Sequence, residues 1–151
     1  MPELKVEVIP EGTVIDHIPV GKWLKVVEIL GLTKPNGGTL LIASNVPSKK
    51  LGRKDIVKVE GRYLSEEEVN KIALIAPLAT VNIVKDYKIV EKFKVEIPDE
   101  IVGILRCPNP NCVSNHEHVT PKFRVESREP LKLRCHYCER TIEGDDILGN
   151  L

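Results

Sequence analysis

The sequence lacks the features that mark several large classes of protein. Lys+Arg and Asp+Glu both number 22, so the 151-residue chain carries no net charge, whereas a nucleic-acid-binding protein normally has a clear basic excess. No apolar run approaches the ~20 residues that a transmembrane helix needs. The opening residues MPELKVEVIP form no apolar export signal. We therefore expect a cytoplasmic protein that binds neither nucleic acid nor a membrane.

Short enzyme motifs are also missing from the sequence. There is no Gly-x-Ser-x-Gly, no glycine-rich phosphate loop of the Walker type and no His-Glu-x-x-His. The segment His116-Glu117-His118 lacks the helical spacing that would place both histidines on one metal ion. These absences favour a protein without catalytic chemistry of its own.

The four cysteines all lie in the last third of the chain and form two pairs. Cys107 and Cys112 are separated by four residues, Cys135 and Cys138 by two, and 22 residues lie between the pairs. This spacing is typical of a closed site in which two tight turns bring four thiolates to one structural Zn²⁺. A closed site leaves no open coordination position, so the pattern favours a zinc-stabilised docking module over a metalloenzyme.

Two other arrangements of the cysteines compete with the zinc site. Two disulfides are compatible with four cysteines, but they are rare in a chain without an export signal. A redox Cys-x-x-Cys at 135–138 leaves Cys107 and Cys112 unexplained and lacks the surrounding βαβ pattern. The histidines could replace a thiol as ligands, but four thiols suffice, and we expect surface or neighbouring positions for His116, His118 and His136.

The hydrophobic pattern upstream of the cysteines predicts the element order β-α-β-β-α-β-β. The first helix ends at Gly31, and the second is capped by Ser65 with Glu68 and ends at Pro77. The first six elements have the order of a ferredoxin-like split βαβ fold, an antiparallel sheet with both helices on one face, and the last strand is an addition. Strands are expected at 4–8, 39–46, 55–60, 81–84 and 87–95, with an extended segment at 12–19, a loop at 47–52 and a turn at 85–86.

A hinge at residues 96–100 divides the sequence into domains 1–97 and 98–151. Residues 1–97 carry 15 basic and 13 acidic side chains, a balance of +2, and residues 98–151 carry 7 and 9, a balance of −2. The slightly acidic cysteine-bearing domain weighs against binding to nucleic acid. The fold class predicted for the whole chain is α+β, with a small β-rich zinc-binding domain at the C-terminus.

The predicted second domain has few large apolar residues. Its main anchors are Phe123, Leu133 and Tyr137, and short strands are expected at 123–126 and 131–134. A core this small seldom stabilises itself. A structural zinc ion can contribute ~10–16 kcal/mol, which is enough to hold such a domain.

Two lysines lie on one face of a predicted strand in the first domain. Period-two alternation places Lys54 and Lys58 on one face and Asp55 and Val57 on the other. A solvated strand face is the simplest interpretation, and a phosphate site is the alternative, because lysines act as flexible point charges. Asp16 and His17 are adjacent in the chain. An Asp-His pair of this kind is found more often in a turn or a structural hydrogen bond than in a functional site.

Several motifs, taken together and in order, carry a resemblance to a known family. They are GTVIDHIP at 12–19, GRKD at 52–55, Ala-Pro at 76–77, Ala-Thr-Val-Asn at 79–82, CPNPNC at 107–112 and CHYC at 135–138. On these motifs the chain resembles the regulatory chain of aspartate carbamoyltransferase. The resemblance runs from about Leu4 to the C-terminus.

The resemblance implies a non-catalytic subunit in pyrimidine biosynthesis. Its N-terminal domain is expected to bind nucleotide effectors such as CTP and ATP, and its zinc domain to dock onto the catalytic chain. Regulatory chains of this family pair through their N-terminal domains, and three such pairs bridge two catalytic trimers. We therefore expect three kinds of partner: the catalytic chain, a second copy of this chain and nucleotides.

The resemblance also implies an effector site with two groups of residues. The base would be bound by Val8, Ile9, Asn82, Tyr87 and Ile89. The ribose and phosphates would be bound by Asp16, His17, Lys54, Lys58 and Lys92. Three lysines and a histidine can offset much of the charge of a triphosphate, while backbone groups and apolar walls recognise the base.

Two functions from other classes are compatible with the cysteine pattern alone. A zinc-ribbon nucleic-acid-binding module would have the same two cysteine pairs, but the acidic balance of residues 98–151 and the few aromatic side chains speak against it. A small zinc enzyme would need an open coordination position to activate water. Four thiolates argue against such a position.

Overall fold

The computed structural model describes residues 9–32 and 38–151. The chain divides into two compact units, Met1–Val95 and Glu96–Leu151, and this division falls two residues before the expected boundary at 97/98. Each unit contains an antiparallel sheet and few helices, which confirms the predicted α+β class. Among the described residues no helix is both long and apolar enough to cross a membrane.

The first unit is built on one antiparallel sheet. Its elements are β1 (Gly12–Ile18), α1 (Trp23–Ile29), β2 (Leu40–Ser48), β3 (Gly52–Glu60), α2 (Glu66–Ile75), β4 (Thr80–Lys85) and β5 (Lys88–Lys94). The strand order is β2-β3-β1-β4-β5, which is the ferredoxin-like arrangement with β5 added beside β4. The strand before α1 is β1, in the segment expected only to be extended, and the strand expected at 4–8 lies outside the described residues.

The two faces of this sheet differ in what covers them. Ile15, Val57 and Val81 pair directly across β3, β1 and β4, and all three are fully buried. Helix α1 packs against both α2 and β3, so the helices form one layer over this apolar row. Burial alternates along β3 as expected, and the partly buried Lys54 and Lys58 lie on the helix-free face.

Local sequence signals fix one end of each helix, the start of α2 and the end of α1. Ser65 Oγ accepts the backbone N–H of Glu68 at 3.2 Å, and a Glu68 carboxylate oxygen accepts the N–H of Ser65 at 3.1 Å, which is the predicted capping box of α2. Helix α1 ends in a Schellman motif, in which the N–H of Leu32 donates to the carbonyl of Val27. Gly31 ends the helix with a φ of +68°, a left-handed conformation that glycine adopts at little cost.

Both hairpins of this sheet differ slightly from the predicted loops. Pairing between β2 and β3 continues to Ser48 and Gly52, so the loop expected at 47–52 becomes a turn of three residues. The turn between β4 and β5 is centred on Asp86 and Tyr87 instead of 85–86. Both residues have positive φ, 51° and 65°, as a two-residue type I′ turn requires.

The second unit holds a smaller antiparallel sheet. Its elements are β6 (Glu100–Val102), a 3₁₀ turn (Val113–Asn115), β7 (Lys122–Arg128), β8 (Leu131–Cys135), β9 (Thr141–Glu143) and α3 (Asp145–Leu148). The four strands pair in chain order, and β7 and β8 contain both predicted short strands. The fully buried side chains of Ile101, Leu105, Phe123 and Leu133 form the core, whereas Tyr137 is only half-buried.

Candidate functional site

The four cysteine thiols of the second unit converge on one point. Their Sγ atoms all lie within 4.8 Å of one another. Cys107 Sγ is 3.7 Å from Cys138 Sγ, and Cys112 Sγ is 3.7 Å from Cys135 Sγ. A disulfide has an S–S distance of about 2.05 Å, so the disulfide alternative is wrong. One cluster also accounts for both cysteine pairs, which a redox Cys-x-x-Cys does not.

The sulfur positions fit a tetrahedral metal ion. With a metal–sulfur distance of about 2.3 Å, the corners of a regular tetrahedron lie about 3.8 Å apart. The closest S–S distances of 3.7 Å match this edge. Three of the thiols are buried and one is half-buried, and thiolates suit soft or borderline metals. The exposed histidines lie outside this cluster as expected, at His116, His118 and His136.

Backbone amides in the two tight turns donate to the sulfurs. The N–H of Asn109 bonds to the sulfur of Cys107, and the N–H of Tyr137 bonds to the sulfur of Cys135. Hydrogen bonds of this kind favour the charged thiolate. The turns that the cysteine spacing predicted therefore supply both the ligands and part of their polar support.

The protonation of the thiols shows why a cation belongs at this point. Burial raises the pKa of Cys107 to about 12 and also raises the pKa of Cys135. Burial acts in the same direction on Cys138, but the hydrogen bonds that its sulfur receives, including one from the Arg140 backbone, outweigh it and lower that pKa to about 7. Four adjacent sulfurs are therefore not all ionised at neutral pH unless a metal ion compensates their charge.

The loop that carries the first two cysteines is braced by Asn115. Its side-chain amide donates to the carbonyl oxygens of Cys107 and Asn109, at 2.9 and 2.8 Å. Its amide oxygen accepts Arg106 Nε at 3.2 Å. Sequence analysis missed Asn115, because an asparagine in a polar loop belongs to no recognisable pattern.

A second candidate site lies on the helix-free face of the sheet in the first unit. The strand register places Lys58, Val14, Asn82 and Lys92 in one row across β3, β1, β4 and β5. Directly paired residues on neighbouring strands share a face. Three residues of the predicted effector site therefore lie side by side.

The next row along the sheet is centred on a carboxylate. Asp16, which lies about 6.6 Å farther along β1 than Val14, pairs with Thr80, which pairs with Lys94. Lys54 Nζ is 2.9 Å from Asp16 Oδ1 and 3.1 Å from Oδ2. Two more of the predicted residues, Asp16 and Lys54, therefore form an ion pair beside the first row.

His17 joins these rows through a bulge in β1. The pairing of β1 with β3 shifts register between Ile15 and Ile18, and His17 has a φ of 59°, which is uncommon for a residue other than glycine. Its backbone N–H donates to Asp16 Oδ1 at 2.6 Å, and its ring Nδ1 lies 3.1 Å from Thr80 Oγ1. We call the two rows together with His17 the polar strip.

The polar strip has more positive than negative charge. Burial lowers the pKa of His17, and the carboxylate of Asp16 opposes this effect. The positive charges of three nearby lysines lower the pKa of His17 further: Lys54, Lys50 and Lys92. Burial also lowers the pKa of Lys58, again opposed by Asp16. A bound anion would favour the charged form of each of these groups.

The residues predicted to bind the base lie toward the other end of the strip. The register places Ile89 level with Gly12 through β4, and Tyr87 lies in the adjoining turn. Both side chains are exposed, by 62% and 65%, and are therefore accessible to a ligand. Ile9 is almost fully buried, with 2% of the residue exposed, and Val8 lies outside the described residues.

The role of Asp55 was not found from the sequence. The side chain is fully buried. Its carboxylate accepts the N–H of Gly21 at 2.8 Å, the hydroxyl of Ser44 at 2.8 Å and the N–H of Asn45 at 2.9 Å. It thereby joins the turn before α1 and strand β2 to β3, next to Lys54. An acidic residue on the apolar face of a predicted strand was the signal that could have identified it.

The fold and the two sites define a class of protein: a ferredoxin-like domain with a cationic strip on its open face, followed by a small domain built around a four-thiolate metal site. The family model described as aspartate carbamoyltransferase regulatory chain, allosteric domain, matches residues 4–96. The model described as aspartate carbamoyltransferase regulatory chain, metal binding domain, matches residues 99–148. The chain therefore belongs to the aspartate carbamoyltransferase regulatory chain family.

Relatives named aspartate carbamoyltransferase regulatory chain are similar over their full length. One from Thermococcus gammatolerans is 91% identical over 151 residues, and one from Thermococcus kodakarensis is 89% identical over 152. One from Pyrococcus abyssi is 76% identical over 152 residues. In each case the match covers 100% of this chain and 100% of the relative.

Family membership decides between the functions that the cysteine pattern left open. The chain is a non-catalytic regulatory chain with an allosteric domain and a metal-binding domain. The zinc-ribbon nucleic-acid module is therefore the wrong alternative, and so is the small zinc enzyme.

Proposed function

We propose that this chain is the regulatory subunit of a cytoplasmic aspartate carbamoyltransferase in pyrimidine biosynthesis, and that residues 1–97 bind nucleotide effectors such as CTP and ATP. The observation that carries the proposal is the polar strip, in which Lys58, Asn82 and Lys92 share one row. A nucleotide needs an apolar wall for its base and cations for its phosphates. The strip offers accessible apolar side chains at one end and lysines beyond them.

The charges of the strip support a phosphate ligand. Asp16 is the one carboxylate among the residues of the strip as described, and Lys54 is paired with it. Lys58 and Lys92 add positive charge to the strip, and a bound anion would favour the charged form of the His17 imidazole as well. Lysine ammonium groups bind phosphate oxygens through strong, charge-assisted hydrogen bonds. We assign the ribose and phosphates to this end of the strip.

The base would lie at the opposite end of the strip. Tyr87 and Ile89 supply exposed apolar surface there, and Asn82 supplies an amide between the two ends. The Asn82 side chain donates to the carbonyl of Val14 at 3.4 Å, a long hydrogen bond that a ligand could replace. Backbone groups of residues 8–9 would complete the recognition of the base.

For the second unit, residues 98–151, we propose one structural zinc ion held by the four cysteines. The spacing of the two cysteine pairs, the thiolate ligand set and the S–S distances support zinc. The ion would hold the cysteine turns and β8 in place, and the domain would dock onto the catalytic chain. A second copy of this chain would pair with it through residues 1–97, as the family resemblance implies.

Control of the catalytic chain would follow from linked equilibria. A nucleotide shifts the complex between two quaternary states only if it binds one of them more tightly. Coupling free energies between such sites are typically ~1–3 kcal/mol. The residues of the polar strip would set the difference in nucleotide affinity, and the metal-stabilised domain would transmit it to the catalytic chain.

The proposal is tested by reconstituting the catalytic chain with this chain and measuring aspartate saturation with and without CTP or ATP. We expect a nucleotide to shift the half-saturating aspartate concentration in the complex and not in the catalytic chain alone. Lys92→Met should weaken the shift. The matched control is Lys71→Met, which removes a lysine from α2 in the helix layer, where Lys71 pairs with Glu67. Identical saturation curves with and without both nucleotides would sink the proposal.

A further inference from the structure

We infer that Lys50 is a further effector-binding residue, which binds the terminal phosphate and makes the site prefer nucleoside triphosphates over monophosphates. This inference rests on the proposed nucleotide site and names the ligand class that the site selects. It concerns a residue outside the motifs that carry the family resemblance.

Lys50 lies in the three-residue turn between β2 and β3, where the N–H of Leu51 donates to Ser48 Oγ at 3.2 Å. Its Nζ lies 3.5 Å from the carbonyl oxygen of Leu78. Leu78 comes two residues before Thr80, whose hydroxyl contacts the ring of His17. The β2–β3 turn therefore reaches across to the connection that leads into β4, at the His17 end of the polar strip.

The order of the lysines along the sheet indicates which phosphate Lys50, in the β2–β3 turn, would bind. Lys58 and Lys92 are level with Val14 on β1, and the ion pair of Lys54 with Asp16 lies one row farther on. The ammonium group of Lys50 follows beyond that row. A nucleotide whose base lies at the Tyr87 end would present successive phosphates to these lysines in turn.

The ammonium group of Lys50 is available to a ligand. The residue is exposed, and its hydrogen bond to the Leu78 carbonyl is at the outer limit of length. Within residues 9–32 and 38–151, no carboxylate lies within ion-pair distance of Lys50. Its positive charge also acts on His17, where it contributes to the lowered pKa of the imidazole. A phosphate between these two groups would bring both into favourable contact.

The neighbouring residue Lys49 provides a matched control. It lies in the same turn, has the same charge and is also exposed. It has no hydrogen bond or ion pair within the part of the chain that the structure describes. Lys49→Met and Lys50→Met therefore change net charge and local composition equally. Only the second removes the ammonium group beside Leu78 and His17.

The test is calorimetric titration of the full-length, zinc-loaded chain and both variants with CTP and with CMP, at one fixed salt concentration. We expect Lys50→Met to weaken CTP binding about three- to tenfold, in the range of a single charge-assisted contact at an exposed site. We expect CMP binding to change less than twofold. Lys49→Met should leave both affinities close to those of the unchanged chain.

Three results would overturn all or part of the inference, and they are distinguishable. If the unchanged chain binds CTP but Lys50→Met and Lys49→Met bind it equally well, the role of Lys50 is wrong and the proposed nucleotide site stands. If neither CTP, CMP nor ATP binds the unchanged chain, the proposed effector function fails and the role of Lys50 fails with it. An equal loss of CTP and CMP affinity in Lys50→Met would reject the triphosphate preference.

Discussion

In the proposed effector site, His17 would couple nucleotide binding to protonation of its ring. Its pKa lies below the ordinary value of 6.5, because burial disfavours the imidazolium and three nearby lysines add to this effect, although Asp16 opposes it. The ring is therefore mostly neutral at pH 7. A bound phosphate would favour the imidazolium and raise the pKa. Binding at a pH between the free and bound pKa values must then take up a proton.

We predict that CTP binding near pH 6.5 takes up more protons with His17 than with His17→Gln. Calorimetry in two buffers of different ionisation enthalpy measures the proton count. The terminal phosphate releases protons on binding in both proteins, so the difference between them isolates the imidazole. As pH falls from 7.5 to 6, the CTP affinity of the unchanged chain should increase relative to that of His17→Gln. Equal proton counts in the two proteins would contradict this prediction.

The lowered pKa of His17 also determines how the stability of the folded chain changes with pH. Because the pKa of His17 in the folded chain is lower than in the unfolded chain, the neutral ring favours folding above the unfolded value of about 6.5. That contribution is lost progressively as pH falls through the folded pKa. The polar strip therefore gives up some stability at mildly acidic pH unless an anion is bound there.

Strands β2 and β3 and the turn before α1 are joined by the carboxylate of Asp55. Asp55→Asn keeps the size of the side chain but turns one acceptor oxygen into a donor, so at least one of the donors from Gly21, Ser44 and Asn45 loses its partner. We predict a loss of about 2–4 kcal/mol of stability in the first unit.

The sole tryptophan gives a local measurement of that loss. Trp23 begins α1, and its backbone nitrogen lies 3.4 Å from a carboxylate oxygen of Asp55. Urea unfolding followed by Trp23 fluorescence therefore reports on the first unit. The matched control is Glu91→Gln, the same chemical change at an exposed position on β5, which should shift the midpoint little. An Asp55→Asn midpoint equal to that of the control would show that Asp55 does not join these elements.

The sequence predicted the ends of some helices correctly but not the extent of every strand and loop. The capping box of Ser65 and Glu68 and the stop at Gly31 were predicted correctly, because each depends on residues close together in the chain. Strand β1 was seen only as an extended segment, since the bulge at His17 interrupts its alternation. The hairpin loops were misplaced by one or two residues, because pairing across the strands decides where a strand ends.

In the two candidate sites, too, features that depend on neighbouring residues were predicted, and features that depend on strand pairing were not. The cysteine turns were evident from spacing, and the alternation of Lys54 and Lys58 was evident from period two. The row that joins Lys58 to Asn82 and Lys92 depends on strand register. Sequence reasoning from the pattern alone could not supply that register, and only the family resemblance brought these residues together. Lys50 was missed because its neighbour Leu78 is distant in the chain.

The two units of the molecule depend on different sources of stability. The first buries an apolar row between its sheet and a layer of helices, centred on Ile15, Val57 and Val81. The second has a smaller core, in which Phe123 is the largest buried side chain, and a cluster of four thiols. A metal ion bound to such thiols typically contributes ~10–16 kcal/mol to a small domain. The second unit should therefore lose its fold without the metal, and the first should not.

We predict that chelation, or Cys135→Ser, unfolds residues 98–151 and abolishes binding to the catalytic chain, while Trp23 fluorescence and CTP affinity stay unchanged. Mass spectrometry of the native protein should find one zinc ion per chain before chelation and none after it. His136→Gln is the matched control, because it changes the exposed residue beside Cys135 and should keep the full zinc content.

Three outcomes would contradict separate parts of this prediction, and a fourth would support it. A Cys135→Ser chain that retains one tightly bound zinc ion would show that the four thiols are not the ligand set. Loss of zinc in His136→Gln would assign a ligand role to that histidine. A change in Trp23 fluorescence on chelation would show that the first unit depends on the metal, which its own buried core gives no reason to expect. Retained CTP binding with lost docking is the result that would place the effector site and the docking surface in separately stabilised domains.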